Sequence, residues 1–257
     1  MTKAIFFDID GTLVSFRTHT ISDSTMDCLY RLRKQGIRLF IASGRHRLTM
    51  DNLSGFPFDG YVAMNGALVT VDGRTISKTP IDPETARNIA MTADREGIPC
   101  VTYGEETVAI NMRNAMTEKI FSMIKLPQIP DISCMEMTDG PVFQFTIFAD
   151  KDIEARMLER FEAGLEPSRW HPLFMDLNPK GLSKADGIDA VLRYFGFSRE
   201  ESMAFGDGGN DISMLKAAGT GIAMGNASED VKQAADHVTA SVDDDGIAKA
   251  LKHFGIL

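Results

Sequence analysis

Apolar residues run unbroken from Ala4 to Phe7, and the run ends on Asp8, Asp10, Gly11 and Thr12. Continuous apolarity without alternation predicts a strand covered on both faces, as in a parallel sheet. Met26, Leu29 and Leu32 then recur at helical spacing between Ile21 and Gln35, with Ser22 or Ser24 to cap the start and Gly36 to end it. Ile37 to Ala42 reads as a second buried strand, so strand, helix and strand form a right-handed βαβ unit. A third strand end, Tyr61 to Ala67, carries Asn65 and Gly66, and Asp72-Gly73 between Leu68–Val71 and Arg74–Ser77 predicts a tight hairpin.

The pattern changes near Pro80. Asp82 can cap a helix with Pro83 at its first position, running to Glu96 and ended by Gly97. Apolar stretches follow at Ile98–Tyr103 and Val108–Met112, then a helix over Met116–Lys125 and a proline-broken segment from Leu126 to Pro130. Val142–Phe148 alternates as a half-exposed strand would, ahead of a helix over Ile153–Glu162 and a strand near Leu173–Leu177. This is α+β order, and it predicts an inserted domain over residues 82–181 within an α/β domain made of 1–81 and 182–257.

Alternation of strand and helix then returns. Ser183 caps a helix that Gly196 ends, and Ser198 and Glu201 have capping-box spacing before the apolar strand Ser202–Gly206. Gly221–Gly225 is a further strand, with Asn226 or Ser228 to cap a short helix. His237–Thr239 and an Asp-rich cap before the helix Ile247–His253 close the chain.

With 257 residues, 44% hydrophobic and 25% charged, the chain has the composition of a globular protein able to bury a sizeable core. Its net charge of -9, with no Lys/Arg block, argues against a nucleic-acid or membrane-surface partner, so an anionic substrate needs local positive charge. Cys28, Cys100 and Cys134 are widely spaced, which suits buried thiols in a reducing compartment. No signal-like N-terminus or run of ~20 apolar residues is evident, and a cytoplasmic location is the expectation.

Asp8 and Asp10 are two apart, so an extended chain aims both at one small volume, where they repel unless a cation or a shared proton intervenes. The plainer alternative, a strand followed by an Asp-Gly turn, accounts for Asp10-Gly11 and leaves Asp8 costly at the end of a buried strand. Ser43, Gly44 and Arg45 close the second strand with a hydroxyl, a glycine and a guanidinium, a set that suits a phosphate oxygen with a helix N-terminus behind it and that also occurs in ordinary loops. Asp207, Asn210 and Asp211 occupy another strand-to-helix junction, which a parallel sheet can place beside the one after Asp8. Carboxylates gathered there without soft ligands favour Mg²⁺ over zinc.

Asp8-Ile-Asp-Gly-Thr12, Ser43, Lys180-Gly-Leu-Ser-Lys184 and Gly206-Asp-Gly-Gly-Asn-Asp211 resemble, in order and context, the four motifs of the haloacid dehalogenase superfamily. The long insertion between the second and third of them, with Asn65-Gly-Ala67, resembles the Cof-type branch, sugar-phosphate phosphatases with a class IIB cap. The resemblance implies a Rossmann-like parallel-sheet core with an inserted α+β cap domain and a Mg²⁺-dependent phosphatase.

By that resemblance Asp8 is the nucleophile that forms an aspartyl-phosphate and Asp10 the general acid and base, a residue that marks phosphoryl transfer over dehalogenation. Mg²⁺ falls to Asp8, the backbone carbonyl of Asp10 and Asp207, with Asp211 binding through water or orienting the shell. Ser43 and Lys184 hold the phosphoryl oxygens, Lys180 being the competing lysine; Asn210 serves phosphate or metal-bound water. Gly44, Arg45, Asn65 and Gly66 form the substrate floor under a cap hinged near Pro80 and Gly181. The expected partner is a small phosphorylated metabolite, sugar phosphates first, and a monomer is compatible with the sequence. A phosphomutase or a non-catalytic sugar-phosphate-binding regulator on the same fold are the alternatives.

Overall fold

A computed structural model describes residues 1–124, 128–161 and 164–257. The chain runs β1 (Ala4–Phe7), α1 (Asp23–Lys34), β2 (Arg38–Ala42), β3 (Gly60–Ala63), β4 (Leu68–Val71), β5 (Arg74–Lys78), α2 (Pro83–Glu96), β6 (Cys100–Tyr103), β7 (Val108–Ile110), α3 (Ala115–Ile124), α4 (Cys134–Met137), β8 (Gln144–Ile147) and α5 (Lys151–Phe161). It continues through β9 (Leu165–His171), β10 (Phe174–Pro179), α6 (Lys184–Phe195), β11 (Ser202–Gly206), α7 (Ile212–Ala217), β12 (Thr220–Ala223), α8 (Glu229–Ala234), β13 (His237–Val238) and α9 (Gly246–His253). It divides into two compact units, Met1–Lys78 with Leu182–Leu257, and Thr79–Gly181.

The first unit is an α/β sandwich around an eight-stranded sheet in the order β13-β12-β11-β1-β2-β3-β4-β5. Strands β13 through β3 are parallel, and β4 and β5 add an antiparallel hairpin. β1 is central because its residues alternate between two cores. Ile5 and Phe7 pack with Leu29 and Leu32 of α1 and Leu251 of α9, whereas Ala4 and Phe6 pack with Ile188 and Val191 of α6 and Leu215 of α7. Phe7 stacks on Phe205 and Phe6 on Phe40, tying β1 to both of its neighbours. Each fully buried ring contributes about 1.5–3 kcal/mol through removal from water.

The second unit is an antiparallel sheet in the order β7-β6-β8-β10-β9. Ile89, Ala90 and Ala93 of α2, Cys134 of α4 and Met157 of α5 cover one face, over Phe145, Ile147 and Leu177. Ile120 and Phe121 of α3 join Val101, Phe148 and Phe174 in a separate cluster.

Three expectations change here. Val142–Phe148, read as half-exposed, is buried throughout, because β8 lies between β6 and β10 and its alternating polar positions, Gln144 and Thr146, are buried too. The Thr146 hydroxyl donates to Asp176 Oδ1 on β10 at 2.6 Å and can accept from the Tyr103 hydroxyl on β6 at 3.3 Å, so it is satisfied inside the sheet. No α-helix follows Ser43-Gly44-Arg45; Arg47–Thr49 forms a single 3-10 turn that ends at Met50, whose backbone (φ -97°, ψ 64°) leaves the helical region. β9 is a seven-residue strand over a stretch that carried no strand signal. The helix ends at Lys125 and Glu162, and residues 126 and 127 of the proline-broken segment, lie outside the described residues.

The three cysteines are free, buried thiols. Among the described residues no helix is long and apolar enough to cross a membrane.

Candidate active site

The polar residues singled out by the sequence in the first unit stand at the carboxyl ends of its parallel strands. Asp8 follows β1, Asp207 follows β11, Ser43 follows β2 and Asn65 follows β3. The pairing Phe7↔Phe205 puts Asp8 and Asp207 side by side, and the Asp8 amide donates to the Phe205 carbonyl at 3.0 Å. One carboxylate oxygen from each of Asp8, Asp207 and Asp211 lies within 4.8 Å of the others.

Lys184, the first residue of α6, is fully buried and answers this negative charge. Its Nζ donates to Asp8 Oδ1 at 2.6 Å and to Asp211 Oδ1 at 2.5 Å. Lys180, the alternative lysine, is exposed on the second unit. Burial works against the Lys184 charge, but Asp8 and Asp211 outweigh it and hold the ammonium above the ordinary lysine value. Burial also raises the Asp8 carboxyl, to about 7; Lys184 counters that rise and the charges of Asp211 and Asp207 add to it. Asp207 rises to about 6, first through burial, with the Thr12 hydrogen bond opposing and Asp211 reinforcing.

Asp211 is shaped by the loop it belongs to. Its Oδ2 accepts from the Asp207 and Gly208 amides at 2.9 and 2.8 Å, so the Asp-Gly-Gly-Asn-Asp turn closes around its own last carboxylate. Gly206 makes room, since a Cβ there would lie 2.5 Å from the Asp211 Cβ. Gly11 does the same for Asp207: its φ is +85°, and an added Cβ would sit 2.1 Å from Asp207 Oδ2. Thr12, fully buried, donates to Asp207 Oδ1 at 3.0 Å.

Asp10 is half-buried and accepts from Arg45 Nη2 at 2.7 Å. Arg45, expected on the substrate floor, is thus ion-paired to the neighbouring carboxylate. The buried Ser43 has its Oγ fixed by the Arg45 amide at 3.2 Å, and its carbonyl accepts from the Asn65 amide. Asn65, left-handed at φ 52°, accepts from Asn210 Nδ2 at 3.1 Å. Gly44 faces the Asn65 side chain, and Gly66 lies against the Ser183 carbonyl that opens α6.

Asn226 is the residue whose place the sequence reading missed. Ser228 precedes α8 as its cap residue, while the Asn226 side chain turns to Gly11 and Asp207, donating at 2.9 and 3.0 Å. The available signal was positional: Asn226 follows β12, whose carboxyl end belongs to the same edge of the sheet.

A buried carboxylate held by an ammonium within an oxygen-only cluster, with a second carboxylate two residues on that is paired to Arg45, can attack an electrophilic centre, exchange a proton and bind a hard cation. Comparison with known proteins agrees with that capacity. The model of the haloacid dehalogenase-like hydrolases matches residues 5–251. YkrA of Bacillus subtilis (strain 168) is 35% identical over 259 residues, covering 100% of this chain and 99% of YkrA. Pyridoxal phosphate phosphatase YbhA of Escherichia coli (strain K12) is 28% identical, covering 96% of this chain and 97% of YbhA. The structure of BT4131, described as a HAD subclass IIB sugar phosphatase, superposes with a TM-score of 0.85 at 45% identity, covering 100% of both chains. The strand-end carboxylates therefore belong to a phosphatase, and the chain is a member of the haloacid dehalogenase-like hydrolase family.

Proposed function

We propose that the protein hydrolyses small phosphomonoesters, sugar phosphates foremost, with Mg²⁺ and through phosphorylated Asp8. The observation that carries this reading is the Asp8–Lys184–Asp211 ion triad with Asp207 beside it and Asp10 two residues away. An Asp8 oxygen bonds to phosphorus as the ester P–O bond breaks, and Asp10 gives its proton to the leaving oxygen. Water then bonds to phosphorus, Asp10 takes the water proton, and the Asp8–phosphorus bond breaks to release inorganic phosphate.

Lys184 keeps Asp8 in place and offsets the charge around it, and the Ser43 hydroxyl donates to a phosphoryl oxygen. Arg45 holds Asp10 at Oδ1, which leaves Oδ2 as the oxygen that carries the proton to the leaving group and takes it back from water. The oxygen-only donor set fits Mg²⁺, with Asp8, the Asp10 carbonyl and Asp207 as its ligands. When bound, the ion supplies positive charge to the phosphoryl oxygens. Asp211, with its carboxylate engaged by two amides and Lys184, suits the orienting role better than direct ligation.

The inserted unit, residues 79–181, selects the leaving group in this reading. Sugar phosphates rank first because BT4131 is described as a sugar phosphatase, and pyridoxal phosphate belongs on the same panel because YbhA is named for it. The test is inorganic phosphate release from sugar and cofactor phosphates with Mg²⁺ and with chelator, for the native chain and Asp8→Asn. Mg²⁺-dependent release that disappears in the variant is expected. Undiminished release by Asp8→Asn would end the covalent reading, and undiminished release in chelator the metal reading.

A further inference from the structure

We propose that Asn226 is a positioning residue that holds Asp207 in its metal-binding orientation and pins the loop leaving Asp8 to the same carboxylate. The inference rests on the reading of Asp207 as a metal ligand and adds to it a residue outside the four motifs.

The geometry leaves one arrangement of the amide. Its Oδ1 accepts from the Val242 amide at 2.9 Å, and a backbone N–H requires an acceptor there. Its Nδ2 therefore faces the Gly11 carbonyl and Asp207 Oδ2, both acceptors, at 2.9 and 3.0 Å. All three contacts join segments far apart in sequence: the turn after β1, the turn after β11 and the segment after β13.

Asp207 has two oxygens and two such holders. Thr12 engages Oδ1 and Asn226 engages Oδ2, so the carboxylate plane is set from both sides. The missing Cβ of Gly11 creates the room in which this happens, and Asn226 grips the carbonyl of that same glycine. An amide suits the position because it donates without adding charge to a cluster where burial first, and then the charges of Asp211 and Asp10, already raise the Asp207 carboxyl. A carboxylate of the same shape would set an acceptor against two acceptors.

The test uses the full chain as native protein, Asn226→Ala and Asn226→Asp, with Mn²⁺ as the probe. Free Mn²⁺ is followed by its paramagnetic resonance signal, and phosphate release is measured across a Mg²⁺ titration. Partners that orient a metal ligand are worth 10–100-fold in affinity, so both variants are expected to bind Mn²⁺ at least about tenfold more weakly. The Mg²⁺ level for half-maximal activity should rise in parallel, while KM for the phosphate ester at saturating Mg²⁺ stays near the native value.

The Asp variant separates positioning from charge, because added negative charge alone would tighten cation binding. Circular dichroism and thermal unfolding identify the folded variants, and the near-isosteric Asn226→Asp carries the test should Asn226→Ala not fold. Folded variants with a lower melting temperature and unchanged Mn²⁺ affinity would overturn the inference, leaving Asn226 as a brace for the segment at Val242. Native protein that binds no Mn²⁺ would instead bring down the metal reading of the site, and this inference with it.

Discussion

In the proposed reading Asp8 and Asp207 have two partners to choose between, the proton and the metal, and their raised carboxyls make the competition visible near neutrality. Both lie above the ordinary aspartate value of 3.8, at about 7 and about 6. The folded chain thus holds protons that the unfolded chain has released between about pH 4 and pH 7. Stability from these groups is present on the acid side and is lost as pH rises through 6 and then 7. A divalent cation reverses the balance, since it requires deprotonated ligands and relieves their repulsion. Mg²⁺ is expected to raise the melting temperature more at pH 8 than at pH 5.5, with an apparent affinity at least about tenfold weaker at the lower pH. Scanning calorimetry at both pH values, with and without Mg²⁺, measures this. A Mg²⁺ shift that is the same at both would show that neither carboxyl governs binding.

Helix ends decide where the side chains proposed for catalysis start, and α6 shows how. Lys184 is its first residue, and the turn before it is closed by Asp186, whose Oδ2 accepts from the Ser183 amide at 2.8 Å and its hydroxyl at 2.7 Å. Loss of a cap costs about 1 kcal/mol, but at this helix it also frees the segment that aims Lys184 at Asp8. Asp82 at the start of α2 is the matched control, accepting from the Thr85 amide and hydroxyl in the other unit. Asp186→Ala and Asp82→Ala should lose similar stability in urea unfolding, whereas phosphate release from para-nitrophenyl phosphate should fall several-fold more in Asp186→Ala. Equal activity in the two variants would separate the cap from the placement of Lys184.

Elements with explicit start and stop residues were readable from sequence, as α2 illustrates with Asp82, Pro83 and Gly97. α6, between Ser183 and Gly196, is a second case. The hairpin at Asp72-Gly73 was equally plain, because both residues take the positive φ that this pair favours. β9 was hidden by Pro167, which argues against a strand in general and is tolerated here because β9 is the edge of its sheet. The burial of β8 depends on which strands flank it, and local alternation carries no record of that. In the site, Asp8, Asp207 and Asp211 were marked by their unusual setting at strand-to-helix junctions, whereas Lys184, the first residue of α6, was legible only through the family resemblance, with Lys180 competing for its role. Arg45 and Asn226 were harder because each acts through a residue distant in sequence, Asp10 and Asp207 respectively.

The whole chain is two compact units joined by two crossings, between Lys78 and Thr79 and between Gly181 and Leu182. Each unit buries its own apolar clusters, and the three clustered carboxylates all belong to the first. Stability should therefore be divisible along the same line, since regions with separate cores open separately. Ile147 is fully buried in the second unit, among Cys100, Phe145 and Leu177. Ile147→Val removes one methyl group at a cost of about 1 kcal/mol, which should speed amide exchange limited by opening of that unit roughly fivefold. Hydrogen exchange read by mass spectrometry is expected to show this in peptides from 79–181 and not in those from 1–78 and 182–257. Mg²⁺ should slow exchange in the latter set alone, because the carboxylates proposed as its ligands all belong to that unit. Exchange that responds across the entire chain to either change would mean that the two units open together. The insertion would then be a structural part of the catalytic unit, and exchanging it to alter substrate choice would cost stability throughout.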